Sequence, residues 1–293
     1  MILPIAFAAL FSARQFAIDR FDARLACAET PGSLSRFVGY PSGAEQNQFT
    51  PNCSFWAKGV DFSCASPWNS CGGRLRAGTL ISRRHLVLAS HFPLGAGTRI
   101  VFVGEDGGAC PCWIDKTKTV TGTDIMVASL DAEVTPNIKP ARLLPDDYRP
   151  YISDGDGLPV ITLDQDEQGL PGELVSLPTN KVRFARIASG SPGGQSILEI
   201  PCYGKAREST QAKRRDMSKT LGPYASGNPA FLLVGNKAIL IYCISGSGFG
   251  TGPLLHLYKR EIQATMDELC PGYKLQEFDF RKIGSGADRA DDE

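Results

Sequence analysis

The sequence predicts an all-β fold, and three observations predict it. Its 293 residues include 31 glycines and 20 prolines, turn formers in the number that many short strands need. From Leu75 onward, apolar runs of strand length alternate with charged or glycine-bearing turns. Near the end, Ala230 to Val234 and Ala238 to Cys243 flank Gly235-Asn236-Lys237, the clearest hairpin in the chain.

Residues 1–60 stand apart from that pattern and read as a leader, a pro-region or an N-terminal extension. Met1 to Ala13 is apolar like the core of an export signal, although no basic residue precedes it, and it is too short to span a bilayer. It points to a secreted or periplasmic protein without a membrane span, the alternative being a buried amphipathic helix that continues through Phe16, Ile18 and Phe21. Beyond Leu75, Ala77 to Ser82 and Leu86 to Ala89 read as strands around the turn Arg83-Arg84. Thr98 to Val103, Thr117 to Thr121 and Ile125 to Leu130 continue the series. Strands this short indicate a barrel or a sandwich.

Pro145 to Gly157 is polar and proline-bearing, and reads as a linker between two similar halves. Strands resume at Pro159 to Leu163, Val182 to Ile187 and Ile197 to Pro201. Leu255, Tyr258, Ile262, Met266 and Leu269 then fall at helical spacing, so residues 254–269 read as an amphipathic helix packed on the second half. Residues 273–293 read as a flexible tail.

Charge is balanced, with 31 basic and 31 acidic residues, which gives no electrostatic reason to expect nucleic acid or an anionic membrane as partner. The nine cysteines favour disulfides in an oxidising compartment, with at least one thiol left over. Cys110-Pro111-Cys112 is the one compact pair, and it lacks the second pair or histidine that a zinc site requires, so no metal is expected.

Three histidines are available as a general base. His256 falls in the predicted helix and His85 in a turn, where packing roles suffice. His91 ends the run Gly78-Thr79-Leu80-Ile81-Ser82-Arg83-Arg84-His85-Leu86-Val87-Leu88-Ala89-Ser90-His91. This run resembles the segment that carries the catalytic histidine in trypsin-like serine peptidases. Thr123-Asp124-Ile125-Met126-Val127-Ala128-Ser129-Leu130 resembles that family's aspartate block, and Ala225-Ser226-Gly227-Asn228-Pro229 the end of its nucleophile motif. The order His, Asp, Ser is also the family's. The resemblance spans roughly residues 70–270.

The resemblance implies two six-stranded antiparallel β-barrels of chymotrypsin-like fold, followed by the C-terminal helix. The peptidase domain would run over residues 61–272, with the first barrel at about 70–145 and the second at about 156–253. It also implies a triad of His91, Asp124 and Ser226, with the N–H groups of Tyr224 and Ser226 as oxyanion donors. Thr220, Ser245 and Gly246 would bind substrate, and Ser245 loosely matches the family's serine beside the catalytic aspartate. The chemistry stands without the name. A serine hydroxyl needs a base, histidine supplies one near neutrality, and a carboxylate fixes the ring's tautomer.

The pattern departs from the family at Tyr224-Ala225, where Gly-Asp is usual, and at Phe92, where a disulfide cysteine is usual. No carboxylate lies near Thr220, so a preference for Lys or Arg is not indicated. The expectation is a monomeric serine endopeptidase that cleaves a peptide or protein substrate without a cofactor. The alternative is an inactive homologue acting as a binding module.

Overall fold

The computed structural model describes residues 17–29, 32–39, 49–67, 76–148, 151, 158–164, 167–174, 197–199, 213, 216–217, 224–245 and 251–283. Strands dominate these residues, as the all-β reading expects. None of their helices is long and apolar enough to cross a membrane. The first strands, β1 (Phe37–Gly39) and β2 (Thr50–Pro51), pair with each other. Next come β3 (Thr79–Ser82), β4 (His85–Ala89), β5 (Arg99–Val103), β6 (Ala109–Thr119) and β7 (Ile125–Leu130). They form one antiparallel sheet in the order β3-β4-β7-β6-β5.

A short β8 (Arg142–Leu143) leads to β9 (Leu158–Leu163), β10 (Gly169–Leu174), β11 (Ile197–Glu199), β12 (Pro229–Val234), β13 (Lys237–Cys243) and β14 (Thr251–Pro253). The second five-stranded sheet runs β10-β9-β12-β13-β8, and β11 pairs with β14. The expected hairpin is β12–β13, closed by Gly235-Asn236 with Gly235 at φ +62°, a value that favours glycine at the first turn position. The finer expectation of two six-stranded barrels thus meets two five-stranded sheets among the described residues. The strand expected at Val182 to Ile187 lies outside them.

The two sheets share one core. Leu80, Leu86, Val87 and Val127 from the first belong to the same buried cluster as Ile161, Phe231 and Leu240 from the second. Phe62 and Phe231 meet across the junction at 5.4 Å between ring centroids. Burial pushes the Cys243 thiol up to about 12, so it stays protonated and donates to the Val87 carbonyl at 3.8 Å.

Three expectations need correction. The C-terminal helix begins as a 3₁₀ turn (Leu255–Tyr258) and continues as an α-helix (Lys259–Leu269). That α-helix lies against β6 and β7 of the first sheet rather than on the second half. Ile262 and Met266 join the shared core, and Lys118 of β6 pairs with Glu268. Amphipathic spacing shows that a face is buried, and it says nothing of which sheet covers it.

The tail expected to be flexible from residue 273 is ordered through Ile283. Leu143 donates to the Gln276 carbonyl and Phe278 donates back to Leu143, both at 2.9 Å. Phe278 and Phe280 are buried in the second core cluster.

The N-terminal region, expected as a leader, a pro-region or an N-terminal extension, is packed where it is described. Phe21 meets Trp56 edge-on at 5.4 Å, Trp56 Nε1 donates to the Gly169 carbonyl at 2.6 Å, and Phe49 donates to the Gly107 carbonyl at 3.0 Å. Arg36 and Glu167 form a buried ion pair at 3.1 Å. The guanidinium also donates to the Phe62 carbonyl, which offsets the cost of taking both charges out of water. The described parts of the segment therefore touch both sheets.

Disulfides are the third correction. Cys27, Cys53, Cys64, Cys110, Cys112, Cys243 and Cys270 are all free thiols. Cys71 and Cys202 lie outside the described residues, as does Met1 to Ala13.

The ordered tail has a measurable consequence. Phe280→Ala is expected to lower unfolding stability by about 3 kcal/mol, the usual cost of deleting a buried phenylalanine ring. Denaturant titration checks it, and an unchanged midpoint would mean that the tail does not pack.

Candidate active site

Strand register brings His91 and Asp124 together. In the β4–β7 ladder Ala89 sits opposite Ile125, so the residues just after β4 lie beside those just before β7. The Ser90 N–H donates to the Asp124 carbonyl at 2.9 Å and extends the ladder by one step. The β12–β13 hairpin does the same for the two serines. Pro229 faces Cys243, the Gly227 N–H donates to the Ile244 carbonyl at 2.8 Å, and the Ile244 N–H donates to the Asn228 carbonyl at 2.8 Å. Ser226 and Ser245 therefore flank one end of that hairpin.

The two ends meet at Gly227. Its φ is +91°, and a Cβ there would stand 2.8 Å from the Ala77 carbonyl oxygen. Only glycine tolerates both the backbone angle and the approach.

A continuous hydrogen-bond series results. His91 Nδ1 lies 2.6 Å from Asp124 Oδ2, and His91 Nε2 lies 2.9 Å from Ser226 Oγ. Because an ionised carboxylate only accepts, Nδ1 carries the proton and Nε2 accepts from the Ser226 hydroxyl. Asp124 takes three further donors: the Ser90 hydroxyl at 2.7 Å and the His91 N–H at 2.9 Å on Oδ1, and the Ser245 hydroxyl on Oδ2. Burial alone would raise the Asp124 carboxyl. The hydrogen bonds from His91, Ser245, Ser90 and the His91 backbone outweigh it and hold the carboxyl below its ordinary value. The hydrogen bond to Asp124 raises His91 above the usual imidazole value, against a smaller opposing effect of burial. His91 is about half exposed, with 47% of its side-chain surface open, so its edge is accessible from solvent.

Tyr224 is two residues before Ser226 and has φ +76°, a conformation that costs a non-glycine residue about 1–2 kcal/mol. No acceptor among the described residues takes its N–H or that of Ser226. Its ring is exposed and stacks on Phe92, next in sequence to His91, at 6.4 Å between centroids. The Arg76 guanidinium lies over the Phe92 ring, 4.5 Å from its centroid.

Of the residues singled out from sequence, His91, Asp124, Ser226, Tyr224 and Ser245 gather here. Ser245, expected to bind substrate, donates its hydroxyl to Asp124. Thr220 and Gly246 lie outside the described residues. His85 and His256 are buried away from the series: His85 Nδ1 meets Ser82 Oγ at 2.9 Å, and His256 packs on Tyr148 at 5.2 Å. Ser90 was missed by sequence reasoning, although its place between a strand end and His91 put its hydroxyl within reach of the same carboxylate. Among the described residues no three His, Cys, Asp or Glu side chains gather as a metal site would need.

Chemically, the series is a hydroxyl with a base on its proton and a buried-side carboxylate holding that base in one tautomer. No protein-family model matches the chain, and a search of curated proteins found no match.

A titration tests the electrostatics. His91 is expected to titrate above the ~6.5 of free histidine. In Asp124→Asn its pKa is expected to fall below the wild-type value, because the hydrogen bond and charge that raise it are gone while burial remains. NMR of the ring protons reads both, and an unshifted His91 in the variant would refute the coupling.

Proposed function

We propose that the chain is a serine endopeptidase of chymotrypsin-like fold, hydrolysing peptide bonds through an acyl-enzyme. One observation carries the proposal: Asp124, His91 and Ser226 stand in an unbroken hydrogen-bond series built from both sheets. The three sequence blocks that resemble trypsin-like peptidases supply those same residues in the same chain order. The strand layout is compatible with two barrels. Ala65 adds a bridge to β3 at the edge of the first sheet, and β9 to β14 make six strands in the second half.

The reaction follows from the geometry. Ser226 Oγ attacks the peptide carbonyl carbon while its proton passes to His91 Nε2. The imidazolium so formed is stabilised by Asp124, which remains ionised. The carbonyl oxygen becomes an oxyanion, for which the N–H groups of Ser226 and Tyr224 are the donors. His91 then gives its proton to the departing amine, and the acyl group stays on Ser226 as an ester. Water repeats the sequence. It loses a proton to His91, attacks the ester and releases the acid, and Ser226 recovers the proton.

Each role has its own expected loss. Ser226→Ala abolishes both turnover and labelling by a fluorophosphonate probe while the fold is kept. His91→Ala costs nearly as much, because the members act as a unit. Asp124→Asn slows turnover by about four orders of magnitude through the wrong tautomer. Labelling of folded wild-type protein that persists in Ser226→Ala would overturn the assignment. Folded protein that never labels would favour the binding-module reading.

A further inference from the structure

Two non-glycine residues among those described have a positive φ, and they differ in how they are held. Glu167, at φ +57°, is clamped by Arg36 through its carboxylate at 3.1 Å, and its carbonyl accepts the Arg36 N–H at 3.1 Å. Tyr224, at φ +76°, is exposed over 64% of its surface, and its aromatic partner is Phe92. The rings are close to parallel, 27° apart, in an offset stack.

Phe92 is itself fixed from two sides. Its N–H donates to the Ala89 carbonyl at 3.1 Å, which ties it to the turn that carries His91. The Arg76 guanidinium covers Phe92 and donates to the Pro93 carbonyl next door. Arg76 and Tyr224 thus both pack on the Phe92 ring, which links the strand entry before β3, the histidine turn and the serine loop.

We infer that Phe92, braced by Arg76, is a positioning residue whose ring holds Tyr224 in the left-handed conformation and so aims the Tyr224 N–H at the oxyanion. This rests on the acyl-transfer reading and adds to it the device that lets a tyrosine occupy a position whose backbone favours glycine. A glycine at 224 reaches the same angle unaided. The stack is therefore needed only while residue 224 carries a side chain.

That condition defines the test. Turnover of 4-nitrophenyl acetate is measured for the wild type, Phe92→Ala, Tyr224→Gly and the double variant. Phe92→Ala is expected to lower kcat about tenfold with KM within about twofold, since an oxyanion contact forms in the transition state. In the Tyr224→Gly background the same change is expected to alter kcat by less than about twofold. An equal loss in both backgrounds would mean a general structural role and overturn the inference, as would no loss in either.

A second measurement does not depend on activity. In a crystal structure of Phe92→Ala, residue 224 is expected to leave the left-handed region. A φ that stays near its present value overturns the inference. Wild-type protein unreactive to the fluorophosphonate would remove the acyl-transfer reading, and that crystal structure would still decide whether Phe92 holds Tyr224.

Discussion

A carboxylate is costly to bury unless hydrogen-bond donors replace the water it loses, and here that constraint falls on Asp124. Four donors meet it: the Ser90 hydroxyl, the His91 N–H, the His91 ring and the Ser245 hydroxyl. Three come from the end of β4 and one from the end of β13, in different sheets. Ionisation of Asp124 therefore depends on both sheets being in place. The protonation of His91 depends on Asp124, and the readiness of Ser226 to lose its proton depends on His91. Removing one donor would leave a partly buried charge underpaired, a larger penalty than the loss of one neutral hydrogen bond.

The rest of the architecture keeps the two sheet ends in register. The shared core, the Phe62–Phe231 contact and the Cys243 thiol on the Val87 carbonyl fix the distance between β4 and β13. The contacts of Arg36 and Trp56 and the tail through Phe280 each connect separate parts of the chain from outside. With seven free thiols among the described residues, non-covalent packing maintains this alignment there. Gly227 shows how tight it is, since its backbone approaches Ala77 closely enough to exclude any side chain.

Much of this was legible in the sequence where the signal is local. The apolar runs of β4, β7 and β12, the turn at Gly235 and the helical spacing of Ile262 and Met266 are short-range patterns, and each became the element it indicated. The ordered His91, Asp124 and Ser226 blocks are also local patterns, and the three residues meet in one hydrogen-bond series. What was not legible depends on partners far along the chain. Cys110-Pro111-Cys112 read as a cysteine pair, yet Cys110, Cys112 and Ile114 are the alternating buried face of β6, which begins well before the expected Thr117. Phe278 and Phe280 fall in the stretch that read as a flexible tail, because the core that receives them is built from residues more than a hundred positions earlier as well as from the nearby hairpin. Tyr224 was read as a departure from the glycine pattern. Nothing local could reveal that Phe92 would lie under its ring.

The central claim is that Ser226 is a nucleophile served by His91, facing an oxyanion site made of two backbone N–H groups. The crystal structure of the protein after reaction with a fluorophosphonate tests it most directly, because the phosphonyl oxygen occupies the place of the oxyanion. The expected result is phosphorus bonded to Ser226 Oγ, with that oxygen within about 3 Å of the N–H groups of both Tyr224 and Ser226. An adduct on another residue, or one whose oxygen points away from both donors, would contradict the account.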